Sequence, residues 1–181
     1  MAKKTALFFA FALSCLLAAA QAARGGLIEG DNWAFLVSAP VGWIWDSTAL
    51  RLHGIRGLFY KAGTEFSPSR LHIYISPTRK RPGGPASLND FIKQDETAFM
   101  GTKPGTNVTD LSPYAPGMDY VFVLKDYDDT NEGYYQAIAY YEGEDAYFVF
   151  VLSGRSAQER ESERASFHEL LDSFTYIHKE E

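Results

Sequence analysis

The clearest alternation of apolar and polar positions lies in the last third of the chain. Three apolar-rich runs, Met118 to Asp126, Gly133 to Glu142 and Asp145 to Ser153, are separated by Tyr127-Asp128-Asp129-Thr130-Asn131-Glu132 and by Gly143-Glu144. Short runs punctuated by turn-forming residues read as a meander of antiparallel strands. In two of them both faces are apolar. Tyr120, Phe122 and Leu124 alternate with Val121 and Val123, and Ala146, Phe148, Phe150 and Leu152 alternate with Tyr147, Val149 and Val151. A sheet wet on one side shows polar residues at every second position, so this one is expected to be covered on both faces, by helices.

Two segments have the 3.6-residue period of covering helices. Ser87 opens the first, with Asp90 three residues on as the partner of a capping box, and Leu88, Phe91, Ile92 and Phe99 form its apolar stripe. Lys103-Pro104-Gly105 ends it. The second runs from Ser156 to Phe174, with Ser156 and Glu159 as its capping box and Phe167, Leu170, Leu171 and Phe174 as its stripe. Its first half, from Glu159 to Arg164, is charged nearly all round and is expected to be solvated or to project past the sheet.

Earlier in the chain, Trp33 to Ser38, Trp43 to Trp45, Ile55 to Lys61 and Leu71 to Ser76 read as strands, and Thr106 to Leu111 as a strand beside the meander. Arg24 to Gly30 reads as a loose lead-in, Asp46-Ser47-Thr48 as the cap of a brief helical turn reaching Leu52, and Pro77 to Pro85 as a loop dense in breakers. The predicted class is α+β, an antiparallel sheet sandwiched between helices in an α/β/α arrangement.

The first residues carry an address. Lys3 and Lys4 precede an apolar run from Ala6 to Ala20 and a small-residue site, Ala20-Gln21-Ala22, the pattern of a secretory signal. The expected organisation is a signal peptide over residues 1–22 and a single domain over 23–181, periplasmic or secreted, with no transmembrane segment. The formal net charge of −6 becomes two units more negative once Lys3 and Lys4 leave, which argues against nucleic acid as a partner. The one cysteine, Cys15, lies inside the leader, so disulfide, thiol and zinc-thiolate chemistry are not expected of the mature chain. The competing reading makes Cys15 a lipoprotein anchor.

The opening Phe35-x-x-x-Ala39-Pro40-x-Gly42-Trp43, the order of strands, helix, meander and final helix, and the closing pattern from Tyr147 through Phe174 resemble the PsbP-like family. That family groups exported bacterial proteins with the extrinsic protein of photosystem II, and its fold is an antiparallel sheet between helical layers. The resemblance implies a non-enzymatic binding or assembly module. Its motifs are core and turn residues, and no metal or partner residue is carried over from it.

Candidate chemistry is sparse. No nucleophile elbow, phosphate loop or dinucleotide fingerprint is present, and no cofactor is expected. Asp126-x-Asp128-x-Thr130 begins like a calcium loop but has Asn131 and Ala137 where Gly and Glu belong, so it reads as an acidic hairpin turn. His168 and Asp172, four apart on the last helix, read as a solvent-exposed pair, and His72 as lying on the less buried face of its strand. Asp95 falls near the centre of the first helix's apolar stripe and so needs a partner inside the fold. The enzyme alternative, a periplasmic catalyst, places Asp95, His168 and His72 in a cleft. The binding reading rests instead on the basic run Arg79-Lys80-Arg81, set between Pro77 and Pro82, and on Trp43 and Trp45 as apolar anchors for an envelope protein or an anionic ligand. The expected function is an exported non-catalytic binding or assembly module of the cell envelope.

Overall fold

The computed structural model describes residues 25–47, 55–68, 71–117 and 119–178. The leader and most of the helical turn expected up to Leu52 lie outside these residues. In chain order the elements are β1 (Gly25–Glu29), β2 (Trp33–Ser38), β3 (Trp43–Trp45), β4 (Gly57–Lys61), β5 (His72–Arg79), α1 (Leu88–Thr102), β6 (Asn107–Asp110), β7 (Val123–Asp129), β8 (Tyr134–Glu142), β9 (Ala146–Gly154), α2 (Ala157–Ser162), α3 (Arg164–Asp172) and β10 (Thr175–His178).

Seven strands form one antiparallel sheet in the order β3-β4-β5-β9-β8-β7-β6. β9 lies at its centre, and every one of its nine residues is buried. Both faces are packed, as the double apolar alternation requires. Tyr147, Val149 and Val151 pack on the α1 side with Phe91, Ile92, Tyr127 and Ile138. Ala146, Phe148, Phe150 and Leu152 point the other way, into a larger aromatic core that includes Phe35, Phe122, Phe167 and Phe174. Truncating one of these central rings, Phe150 for example, would leave a cavity worth about 3–5 kcal/mol.

The two coverings differ in kind. One face has the helix that the periodicity predicts, capped by Ser87, whose Oγ accepts from the Asp90 N–H at 3.2 Å. The other is covered by a second sheet, β1-β2-β10, together with α3. The loose lead-in is therefore a strand paired with β2 from Gly25↔Ser38 to Glu29↔Ala34, and β10 flanks β2 on its other side. Both strands are short, and β1 opens with two glycines, so neither has enough alternation to stand out. Gly26 is needed for its lack of a side chain: a Cβ there would lie 1.6 Å from Cη2 of Trp45.

The last helix is broken. Glu163, at φ −106° and ψ 5°, separates α2 from α3. Ser156 caps α2 as expected, its Oγ accepting from the Glu159 N–H at 3.0 Å, but the Glu159 carboxylate turns to the Arg155 N–H at 2.7 Å. The charged half does not project into solvent throughout. Arg160 is buried between Asp126 and Asp128, and Arg164 also reaches Asp126. Sequence periodicity counts a charged residue as outward-facing, whereas here the acidic residues of β7 supply a buried partner for it.

Candidate binding groove

β5 continues three residues further than its apolar pattern suggests. Pairing with β4 ends at Gly57↔Ile75, while pairing with β9 runs on through Pro77↔Phe148, Thr78↔Tyr147 and Arg79↔Ala146. With β9 on one side alone, Pro77 sits as it would on an edge strand, where its missing N–H leaves no ladder bond unmade. The end of β5, the start of β4 and the β1–β2 turn enclose a groove of about 580 Å³, lined among others by Arg56, Arg79, Lys80, Arg81, Asp31 and Trp33.

The three predicted basic residues are thus brought together, but in different states. Arg79 Nη1 donates to Asp31 Oδ2 at 2.8 Å, and both side chains are exposed. Lys80 Nζ donates to Glu142 Oε1 at 2.7 Å and lies 4.9 Å from the centre of the Tyr147 ring. Glu142 Oε2 also accepts from the Leu88 N–H at 3.2 Å, which ties the basic segment to the start of α1. Arg81 and Arg56 are exposed, and neither has a side-chain partner among the described residues. Arg56 and Asp31 carry no signal in the sequence, because they belong to segments far from the basic run: Arg56 joins it through the pairing of β4 with β5, and Asp31 through the packing of the second sheet against the first.

The tryptophans lie elsewhere. Trp43 is 5% exposed within the core between the sheets, with Lys61 Nζ 4.7 Å over its ring. Trp45 is half-buried, packed against the same core and closed over by Gly26. The indole that lines the groove is that of Trp33.

The groups of the enzyme alternative do not converge. Asp95 accepts from the Tyr140 hydroxyl at 2.8 Å beneath α1, and Tyr140 in turn meets the Tyr127 hydroxyl at 3.0 Å. Burial pushes the Asp95 carboxyl above its ordinary range, against the pull of the Tyr140 hydrogen bond. His168 lies on the opposite side of the sheet, on α3. It is half-buried rather than solvent-exposed, because the Tyr114 ring stacks on it at 4.1 Å while the Tyr114 hydroxyl donates to Asp172 at 2.6 Å. Burial, and the donation to Asp172, push the Tyr114 hydroxyl up to about 12. His72 lies on the less buried face of β5, with Tyr74 and Ser76, as expected, yet is itself only 7% exposed, since the Phe66 ring meets it edge-on at 5.5 Å and Tyr74 stacks at 5.9 Å.

The acidic hairpin is likewise occupied. Asp126 and Asp128 hold Arg160, and Asp129 Oδ1 accepts from the Asn131 and Glu132 N–H groups at 3.0 and 3.3 Å. Among the described residues no group of three or more His, Cys, Asp or Glu side chains is arranged to hold a metal ion, and no helix is long and apolar enough to cross a membrane.

No protein-family profile matches the chain, and no curated protein matches it in sequence. Solved structures do. Cyanobacterial PsbP (CyanoP) from Synechocystis sp. PCC 6803 aligns over 87% of this chain and 95% of its own, at 14% identity and a TM-score of 0.53. The Saccharomyces cerevisiae Ran-binding protein Mog1p aligns over 83% of this chain and 94% of its own, at 12% identity and a TM-score of 0.49. At such identities the likeness speaks for fold alone, and the fold of this chain is PsbP-like.

Proposed function

We propose that the protein is an exported, non-catalytic binding or assembly module of the cell envelope, and that it engages an envelope protein or another anionic partner through Arg79, Lys80 and Arg81. The observation that carries this reading is the gathering of these cations with Arg56 around one groove, on a chain whose formal net charge is −6. A local field opposite in sign to that of the body steers an anionic partner to this place and away from the rest of the surface. The leader pattern of residues 1–22 supports export. A PsbP-like fold supports binding over catalysis by analogy only. Independent support comes from the acid and histidine side chains, which are engaged in packing on opposite faces of the sheet. In this reading Trp43 and Trp45 serve the core.

The test is crosslinked capture from the native envelope at low salt, with the wild-type protein and a variant carrying Arg79→Ser, Lys80→Ser and Arg81→Ser together. The variant is expected to keep its fold by circular dichroism and to recover less partner. Undiminished recovery of every partner overturns the assignment of the working surface.

A further inference from the structure

We propose that the groove accepts an extended, acidic segment of a partner polypeptide, which adds as a strand to the open edge of β5; this rests on the binding reading above and names its mode. The polarity of β5 is the first support. Its register with β9 brings Lys80 opposite Asp145, and the Lys80 N–H donates to the Asp145 carbonyl at 2.9 Å. Backbone groups of successive residues in an antiparallel ladder point to opposite sides. Thr78 and Ser76, in phase with Lys80, therefore face β9, and Pro77 and Arg79 face away from it. Ile75 is in phase with Pro77 and Arg79, and its carbonyl accepts from the Arg56 N–H at 2.8 Å on the β4 side. Beyond that point β4 supplies no further partner. The Pro77 carbonyl, the Arg79 N–H and the Arg79 carbonyl are thus directed toward the groove, where no strand of the described residues pairs with them.

An acceptor, a donor and an acceptor in this order match two alternate residues of an incoming antiparallel strand, one exchanging both of its backbone bonds with Arg79 and the other donating its N–H to the Pro77 carbonyl. Strand addition of this kind draws affinity from main-chain bonds and specificity from the side chains beside the edge. Those side chains are cationic: Arg56 and Arg81 have no acidic partner among the described residues, and Arg79 holds only the exposed Asp31. Asp31 shows that a carboxylate fits against Arg79 in this groove. An incoming Asp or Glu would displace it at little cost, because an exposed ion pair contributes little. A free phosphate would use the cations but not the edge. Proline and charge at a strand end also discourage unwanted pairing, and an edge that is merely protected would bind no peptide.

The experiment titrates the full chain into a fluorescent peptide of about ten residues alternating Glu and Val, read by anisotropy at low salt. The comparisons are the same peptide N-methylated at every central amide, a Lys/Val peptide, and inorganic phosphate as competitor. We expect the acidic peptide to bind and the Lys/Val peptide not to. N-methylation is expected to weaken binding about tenfold, as is the Arg56→Ser and Arg81→Ser double variant, and Asp31→Asn to tighten it severalfold. Equal binding of the N-methylated peptide, or its complete displacement by phosphate, overturns strand addition and leaves an anion site. Absence of binding by the acidic peptide also overturns it. If capture from the envelope still falls in the triple Ser variant while N-methylation has no effect, the binding reading stands and the strand mode falls. If capture is undiminished, the binding reading falls whatever the peptide does.

Discussion

The Tyr140 hydroxyl donates to Asp95 Oδ2 at 2.8 Å, beneath a helix whose apolar stripe the carboxylate interrupts. Burial is the larger influence on this carboxyl and raises it above the ordinary value, so the folded chain binds the proton more tightly than the unfolded chain does. The stability contributed by that proton is fully present below the ordinary carboxyl range and is lost as pH rises through the folded value. Asp95→Asn keeps an acceptor for Tyr140 and removes the ionisation. Relative to wild type, the variant is therefore expected to melt more favourably at neutral pH than at about pH 3. Thermal unfolding of both proteins across that range checks it; a difference that does not change with pH, or changes in the opposite sense, refutes it.

A second prediction concerns the charges that join α2 and α3 to β7. Arg160, 6% exposed, lies 3.1 Å from Asp126 and also pairs with Asp128; Arg164 reaches Asp126 at 2.7 Å. Removing one member of a buried pair strands the charge that remains. Arg160→Leu is expected to lower stability by about 3 kcal/mol. Arg155, paired with Glu159 on the surface, serves as the control, and Arg155→Ser is expected to leave the denaturation midpoint almost unmoved. Urea unfolding of the two variants decides the matter, and equal small effects would show that the cluster is not a structural clamp.

How much of this was legible follows from what each residue type signals. The meander and its double-sided burial were readable because β9 alternates two apolar sets, and α1 because its stripe and Ser87 cap agree. β1 and β10 were not, since five and four residues carry little periodicity and pair with β2 only through tertiary contact. The break at Glu163 had no Gly or Pro to announce it. At the site, Arg79-Lys80-Arg81 was visible as a run, whereas Arg56, Asp31 and Trp33 join it through the closure of the two sheets. The burial of Trp43 has the same origin, since Lys61 of β4 lies over its ring; His72 does sit on the less buried face of β5, with Tyr74 and Ser76, and is itself covered by Phe66 from another segment.

The contact between the two sheets at Gly26 and Trp45 gives a third prediction. A methyl group at position 26 would lie inside van der Waals distance of three indole carbons, so the ring must move or β1 must lift. Gly26→Ala is expected to lower stability by about 1–3 kcal/mol, as overpacking does. It should also shift tryptophan emission to the red as the Trp45 ring gains solvent. An unchanged spectrum and midpoint would mean that the two sheets do not meet as closely as the geometry requires.

The last prediction concerns His168, held between α3 and the Tyr114 ring, with Nε2 buried and no hydrogen-bond partner among the described residues. Burial disfavours the imidazolium most, and the Arg164 guanidinium adds to this, while Asp172 and Glu161 act in the opposite sense; the balance lies below the ordinary value. The histidine is therefore neutral in the fold at pH values where the unfolded chain already protonates. Its contribution to stability is fully present above the ordinary histidine value and is lost as pH falls through the folded one. Nuclear magnetic resonance titration of the ring protons should place His168 below about 6.5, and Tyr114→Ala, by opening the ring to water, should raise it. Stability should follow: on going from about pH 7 to about pH 5, wild type is expected to lose more melting temperature than His168→Gln. A His168 that titrates at or above the ordinary value, or one indifferent to the loss of Tyr114, would show that the stacked ring does not exclude water and that this corner of the fold carries no pH dependence of its own.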